Sequence, residues 1–261
     1  MKLKQFQQKL NEAKIGYALF TVNESLNPGL LYFTQLPNTT HCALVVPAAG
    51  KPELFVSSLD YGRAIKESVV KVSLLESPLL PLLKKKFPSK TIGLDFSVTP
   101  YSMIKKIKKE MKDASLKDIN SFLQEVRLTK TPEEISLLKK AADISNKAFE
   151  AAMDNFNFKT ESDIRAALEY EMAKQGATHS FPTIVASGKN ASVPHHRTTQ
   201  EQLHKGFCVI DFGANYRGYC SDCTRTIFIG KPSAKDKQLY NRVLAAQQVA
   251  LRQARDRKSV V

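Results

Sequence analysis

The first half of the chain alternates short apolar runs with amphipathic stretches of helical spacing. Five apolar runs bounded by Gly, Pro or polar residues predict strands, at 17–22, 42–48, 53–58, 69–75 and 91–97. Helical stretches lie between them, at 2–14, 59–68, 78–87 and 100–112. This alternation of strands and helices predicts an α/β domain over residues 1–125.

The pattern then changes to a long amphipathic helix. Thr131 is its predicted N-cap, Pro132 fits the first helical position, and Glu134 completes a capping box. A second helix is predicted from the cap Thr160 to Gly176. Three strand-like runs and a last helix follow, at 181–188, 207–216, 219–230 and 234–254. Helices that precede an antiparallel sheet predict a second, α+β domain over residues 126–261.

The composition and charge of the chain indicate which classes of protein and of binding partner are expected. The 43% hydrophobic content is enough for a full core. The net charge of +14 is spread over both halves without an aromatic-rich or zinc-finger pattern, so we expect no specific nucleic acid. No apolar run approaches the roughly 18 residues of a membrane span, and no signal peptide is evident. Four unevenly spaced cysteines indicate a reducing, cytoplasmic location.

The segment GYCSDCTRT (218–226) contains two candidate chemistries. Asp222 lies eleven residues after Asp211, and a hairpin turning at Tyr216–Arg217 would place these carboxylates directly opposite each other. Their Cβ atoms would then be about 4.5–5.5 Å apart. Such a pair is stable when a divalent cation lies between the charges. The alternative is two solvent-facing aspartates, or one aspartate paired with Arg225.

The second candidate chemistry is the C-x-x-C pair formed by Cys220 and Cys223. Positions three apart on a strand point to opposite faces, so these thiols would not converge on one zinc ion. No second C-x-x-C completes a zinc site. We therefore interpret both as ordinary strand residues.

Longer segments resemble the pita-bread metallopeptidases, the superfamily of creatinase, methionine aminopeptidase and the proline-specific peptidases. The resemblance is carried by FPTIVASGKNASVPHH (181–196), KGFCVIDFGANYRGYCSDCTRTIFIG (205–230) and RLTKTPEEISLLKKAADIS (127–145). Earlier segments, LNPGLLYFTQL and ALVVPAAGKPELFVSS, resemble the creatinase-type N-terminal domain. The implied fold is an α/β N-terminal domain (creatinase-type) plus a partial α+β pita-bread catalytic domain.

The resemblance implies an Xaa-Pro aminopeptidase or Xaa-Pro dipeptidase (prolidase) that uses two divalent metal ions, Mn, Co or Zn. Asp211 matches the aspartate that chelates one ion, and Asp222 matches the aspartate that bridges both. His195 matches the histidine that lines the pocket and stabilises the tetrahedral intermediate. His196 and His204 match no role and are expected at the surface. The expected partners are proline-containing peptides and a second copy in a homodimer.

The chain departs from this family after the second aspartate. The family uses a downstream histidine and two glutamates as further ligands, whereas this sequence has no histidine after His204 and no glutamate after Glu201. A C-terminally truncated or frameshifted copy of a peptidase is the expectation. The alternatives are a non-catalytic module that binds peptides or proteins, and a site completed by another chain. As it stands, the chain is predicted to bind no stable metal pair and to hydrolyse no Xaa-Pro peptide.

Overall fold

A computed structural model of the chain describes residues 2–22, 27–37, 39–154 and 156–254. The chain folds into two compact units. The first unit extends to Lys139 and includes Arg217–Tyr219, and the second comprises Lys140–Tyr216 and the chain from Cys220 onward. None of the described helices is both long and apolar enough to cross a bilayer.

The first unit is built on a six-stranded mixed sheet. Its strands are β1 (Tyr17–Val22), β2 (Cys42–Pro47), β3 (Glu53–Val56), β4 (Lys71–Leu74), β5 (Thr91–Leu94) and β6 (Ser115–Asp118). They lie in the order β4-β3-β2-β1-β5-β6. The two pairings of β2 are antiparallel, and the remaining pairings are parallel.

Helices cover both faces of this sheet. They are α1 (Leu3–Glu12), α2 (Pro28–Thr34), α3 (Ser58–Glu67), α4 (Leu79–Lys86), α5 (Tyr101–Glu110) and α6 (Asn120–Leu128). Alternate residues of β1 enter two cores, with Phe20 packed among α1, α2, α3 and α6, and Leu19 among α4 and α5. This period-2 alternation is the expected consequence of a strand buried on both faces.

The five predicted strands and four predicted helices of this half are confirmed, with shifts of a few residues at their ends. Three further elements are present that the apolar pattern did not predict. Helix α2 has only seven residues, too few for a periodic signal, and it starts where the Asn27 side chain accepts from Gly29 N and Leu30 N. Strand β6 lies at the sheet edge and is mostly exposed, so its sequence SLKD carries no apolar run. Helix α6 follows β6 directly.

The second unit contains helices that lead into short antiparallel sheets. The elements of this half are α7 (Pro132–Asp154), α8 (Glu161–Lys174), β7 (Thr178–His179), β8 (Ile184–Ser187), β9 (Gly206–Phe212), β10 (Ala214–Tyr216), β11 (Tyr219–Cys220), β12 (Cys223–Ile229) and α9 (Ala234–Gln253). The capping box at Thr131 and the cap at Thr160 are confirmed, and the structure adds Asp163 as the acidic member of a second capping box. The sheets have the orders β12-β9-β8 and β11-β10-β7.

The core of this unit lies between helices α7 and α8 and one face of the β12-β9-β8 sheet. Cys208, Ile210 and Phe212 of β9 are fully buried there. Strand alternation therefore turns the intervening residues of β9, including Asp211, toward the opposite face. This outward face is where the candidate chemistry lies.

Candidate functional site

Asp211 is held at the centre of the outward face by its neighbours on both sides. It lies opposite Ile184 of β8 and opposite Thr224 of β12. The Thr224 hydroxyl donates to Asp211 Oδ1 over 2.7 Å. This hydrogen bond fixes the carboxylate and occupies one of its oxygens. Oδ2 is therefore the freer ligand atom.

The predicted direct pairing of Asp211 with Asp222 is wrong. Because the β9 and β12 pairing sets Thr224 opposite Asp211, the hairpin is shifted from the register we predicted. The turn consists of Arg217 and Gly218, with φ values of 53° and 84°, instead of Tyr216–Arg217. A two-residue turn with positive φ at both positions favours glycine, so Gly218 was the sequence signal for the correct register.

Asp222 comes two residues before Thr224, the cross-strand partner of Asp211. It is located in the break between β11 and β12, next to Cys223, and is exposed. Burial raises the pKa of the Cys223 thiol, and the charges of both Asp222 and Asp211 raise it further, while Arg225 opposes them. Both carboxylates therefore disfavour ionisation of the same thiol.

A kink in the hairpin separates the two aspartates. At Gly213 a Cβ would lie 2.0 Å from the carbonyl oxygen of Ser221, so only glycine allows the strands to approach this closely. The Ser221 hydroxyl lies 2.7 Å from Ser145 Oγ of α7, and both hydroxyls accept from Ala214 N at 2.9 Å. The break ends β9 and β11 and leaves Asp211 and Asp222 on either side of it.

The same break divides the C-x-x-C pair. Cys220 ends β11 and Cys223 begins β12, so the two lie on strands of different sheets instead of on one continuous strand. Both are free thiols, and burial raises the pKa of each. A raised pKa disfavours the thiolate that metal binding and nucleophilic attack require.

Alkylation should separate the cysteines by burial. At pH 8, iodoacetamide is expected to modify Cys220 first, because it is exposed, and to leave Cys208 protected. Burial, and secondly the Glu161 charge, raise the pKa of Cys208 to about 12. Since only thiolate reacts, about one Cys208 in ten thousand is reactive at pH 8. Mass spectrometry of tryptic peptides measures the order, with Cys220→Ser as control; early labelling of Cys208 would contradict the described core.

His195 lies on the connection between β8 and β9, residues 188–205. It is exposed in a turn closed by a hydrogen bond from His196 N to Val193 O at 3.1 Å. The expectation that His196 is a surface residue is wrong, because its side chain is only 13% exposed and Nε2 lies 2.7 Å from Glu161 Oε2. His204 is half-exposed, as expected. No sequence signal identified Glu161, which follows the cap Thr160 and resembles an ordinary acidic residue of a first helical turn.

The carboxylates suit a divalent metal ion but supply only part of its ligand shell. Neither Asp211 nor Asp222 forms an ion pair among the described residues, and carboxylate oxygens are preferred ligands of hard divalent ions. Within that part of the chain, no group of three His, Cys, Asp or Glu side chains could hold a metal. His195 therefore does not join the aspartates as a ligand.

Comparisons with known proteins agree with this arrangement of two units. Residues 136–260 match the family described as Metallopeptidase family M24, and residues 2–129 match the Creatinase/Prolidase N-terminal domain. An uncharacterized peptidase of Bacillus subtilis is 31% identical over 256 residues, which cover 95% of this chain and 70% of the relative. The chain belongs to this metallopeptidase family.

Relatives with named activities match as well. The Xaa-Pro dipeptidase of Pyrococcus horikoshii is 33% identical over 230 residues, 84% of this chain. The crystal structure of the X-Pro aminopeptidase from Thermotoga maritima superposes with a TM-score of 0.84 at 31% identity, and covers 94% of this chain and 72% of that one. The chain spans 65% of the length of the Pyrococcus dipeptidase. Membership of the family implies divalent metal ions, and the creatinase-type and metallopeptidase folds predicted from the sequence resemblance are confirmed.

Proposed function

We propose that this chain carries part of an Xaa-Pro peptidase, an aminopeptidase or dipeptidase that hydrolyses the peptide bond before proline. The observation that supports it best is the position of Asp211 and Asp222 on either side of the close approach of Gly213 and Ser221, in a member of a metallopeptidase family. The proposed ions are two of Mn, Co or Zn, and the proposed substrate is a proline-containing peptide.

Each proposed site residue has a distinct role. Asp211 would bind one ion through Oδ2, because Thr224 holds Oδ1. Asp222 would bridge both ions, and its position in the break between strands leaves it accessible to them. His195 would donate a hydrogen bond to the oxygen of the scissile carbonyl. When bound, the ions supply a more acidic water and Lewis-acid polarisation of that carbonyl.

A proline after the scissile bond makes the substrate difficult for most peptidases to bind. Its amide has no N–H and its ring fixes φ, so an ordinary peptidase that binds extended backbone through that N–H cannot use it. A site that orients the carbonyl through His195 and the ions does not need the missing donor. This is why the proposed chemistry suits an Xaa-Pro substrate.

The 261-residue polypeptide by itself is expected to be inactive. Two carboxylates offer fewer ligands than a stable pair of ions needs, and the sequence has no glutamate after Glu201 to supply more. Incubation with Mn²⁺ or Co²⁺ and an Xaa-Pro dipeptide should release no proline above a metal-only control. If proline is released by both this polypeptide and its Asp211→Ala/Asp222→Ala variant, the activity comes from a contaminant. If it is released by this polypeptide but not by the variant, the expectation is contradicted.

A non-catalytic peptide-binding module is the second candidate. It is favoured by the lack of a third metal ligand among the described residues. A binding measurement separates the two, because a binding module would retain a fluorescent proline-containing peptide, and the Asp211→Ala/Asp222→Ala variant would retain it equally. We also propose a cytoplasmic location, supported by the free thiols, and a homodimer.

A further inference from the structure

A carboxylate without solvent contact lies beside the connection that carries His195. Glu161 occupies the first position of α8 and is 0% exposed. Burying a charge is costly unless the charge is hydrogen-bonded. The identity of its donors therefore indicates what this residue does.

These donors come from one stretch of chain, from the end of β8 into the β8–β9 connection. Oε1 accepts from Ser187 N at 2.9 Å, from Ser187 Oγ at 3.2 Å and from Asn190 Nδ2 at 3.0 Å. Oε2 lies 2.7 Å from His196 Nε2. The two oxygens thus tie the start of the connection to the turn that contains His195.

The charge on Glu161 is the form that the surroundings favour. Burial raises its pKa, but hydrogen bonds from Asn190, Ser187 and His196 outweigh burial, so the pKa lies below its ordinary value. The other titratable groups that face it are the Cys208 thiol, whose pKa its charge helps to raise, and Glu201, which shares the Asn190 amide at 3.1 Å. Glu161 is therefore ionised at neutral pH.

Backbone contacts hold the rest of the connection to the same helix end. The Ser162 N–H and hydroxyl both donate to Thr199 O, at 3.1 and 2.7 Å, and Glu161 N donates to Glu201 O at 3.2 Å. Thr198 Oγ1 accepts from Val185 N at 2.7 Å, which anchors the connection to β8. Between these anchors, His196 is the side chain that links the exposed turn to the buried charge.

We propose that Glu161 and His196 are positioning residues for His195. The buried contact fixes His196, and the turn then has one orientation in which the adjacent imidazole is presented to substrate. The role of His195 in this inference rests on the proposed function. The ordering of the connection does not, and it is measured without substrate.

Trypsin reports on the ordering, because Lys189 and Arg197 lie within the connection. Cleavage after Arg197 in the 261-residue protein should accelerate about tenfold or more in Glu161→Gln, since hydrogen bonds to a charged group are lost. The matched control is Glu201→Gln in the same connection, expected within about twofold of wild type, because exposed carboxylates contribute little. His196→Gln keeps a donor near Nε2 and should restore protection that His196→Ala loses.

A pH profile distinguishes the charge from mere packing. Because the folded pKa of Glu161 is lowered, its stabilisation is present above the unfolded value and is lost as pH falls through the folded pKa. Hydrogen exchange of peptides covering residues 187–199, corrected for intrinsic rate, should therefore increase below about pH 4.5 in wild type. In Glu161→Gln the corrected exchange rate of these peptides should be high and should not change with pH.

The link to His195 has its own measurement. Its imidazole NMR signals should move in Glu161→Gln and His196→Ala and stay in place in Glu201→Gln. Unchanged His195 signals in Glu161→Gln would overturn the positioning role even if the connection opens. A wild-type cleavage rate and pH profile in Glu161→Gln would overturn the inference entirely. Neither result depends on whether the site hydrolyses Xaa-Pro peptides.

Discussion

Exchange of Asp222 for asparagine should abolish both metal binding and turnover in a polypeptide that has the complete ligand set. Such a polypeptide joins this chain to the C-terminal part of the Pyrococcus horikoshii dipeptidase, of which this chain covers 65%. An asparagine keeps the shape of the side chain but has no charge to bridge two cations. Several kcal/mol of transition-state stabilisation would be lost, about a thousandfold in kcat/KM.

Metal content separates the roles of the two aspartates. Atomic absorption should find two ions in the parent, fewer in Asp211→Asn and none in Asp222→Asn, because only the latter aspartate is proposed to contact both. Asp143→Asn is the matched control, since Asp143 is half-exposed on α7 and pairs only with lysines among the described residues. Full metal content with full proline release in Asp222→Asn would refute the assignment. A folded, metal-loaded parent without proline release would refute the proposed function.

The candidate site could be located from the sequence because its chemistry is local. Asp211 and Asp222 are only eleven residues apart on one hairpin, and this spacing together with the family resemblance indicated them as the candidate site. Their geometry was harder to predict. The positive φ at Arg217 moved the turn by one residue, and a shift in turn position changes every cross-strand partner.

The buried support of the site was not predictable from the sequence. Glu161 and His196 are 35 residues apart, and their contact depends on how the β8–β9 connection folds over the end of α8. Ser145 and Ser221 are a similar case, since they meet across 76 residues at the kink. A polar residue of a helix looks solvated in the sequence unless the tertiary contact that buries it is known.

The close approach of the two strands at Gly213 leaves no room for a methyl group. Gly213→Ala should destabilise the second unit by about 3 kcal/mol or more, because the added Cβ meets the Ser221 backbone carbonyl, which no side-chain rotation can move. Relief requires β9 and β12 to separate beside Asp222. Alkylation of buried Cys208 in increasing urea measures the unfolding of the second unit. The urea concentration at which half of Cys208 is alkylated, its midpoint, should fall. Cys42 reports on the first unit in the same samples, and its midpoint should not move.

Gly62→Ala is the matched control for this substitution. Gly62 lies inside α3, and a Cβ there would have no neighbour within 4 Å. Alanine exceeds glycine in helix propensity by about 1 kcal/mol, so the Cys42 midpoint should rise slightly while the Cys208 midpoint stays constant. If Gly213→Ala left the Cys208 midpoint unchanged, the close approach at Ser221 would not exist in solution. The proposed metal ligands Asp211 and Asp222 would then have to be held by the strand pairing alone, without the hydrogen bonds of Ser145 and Ser221.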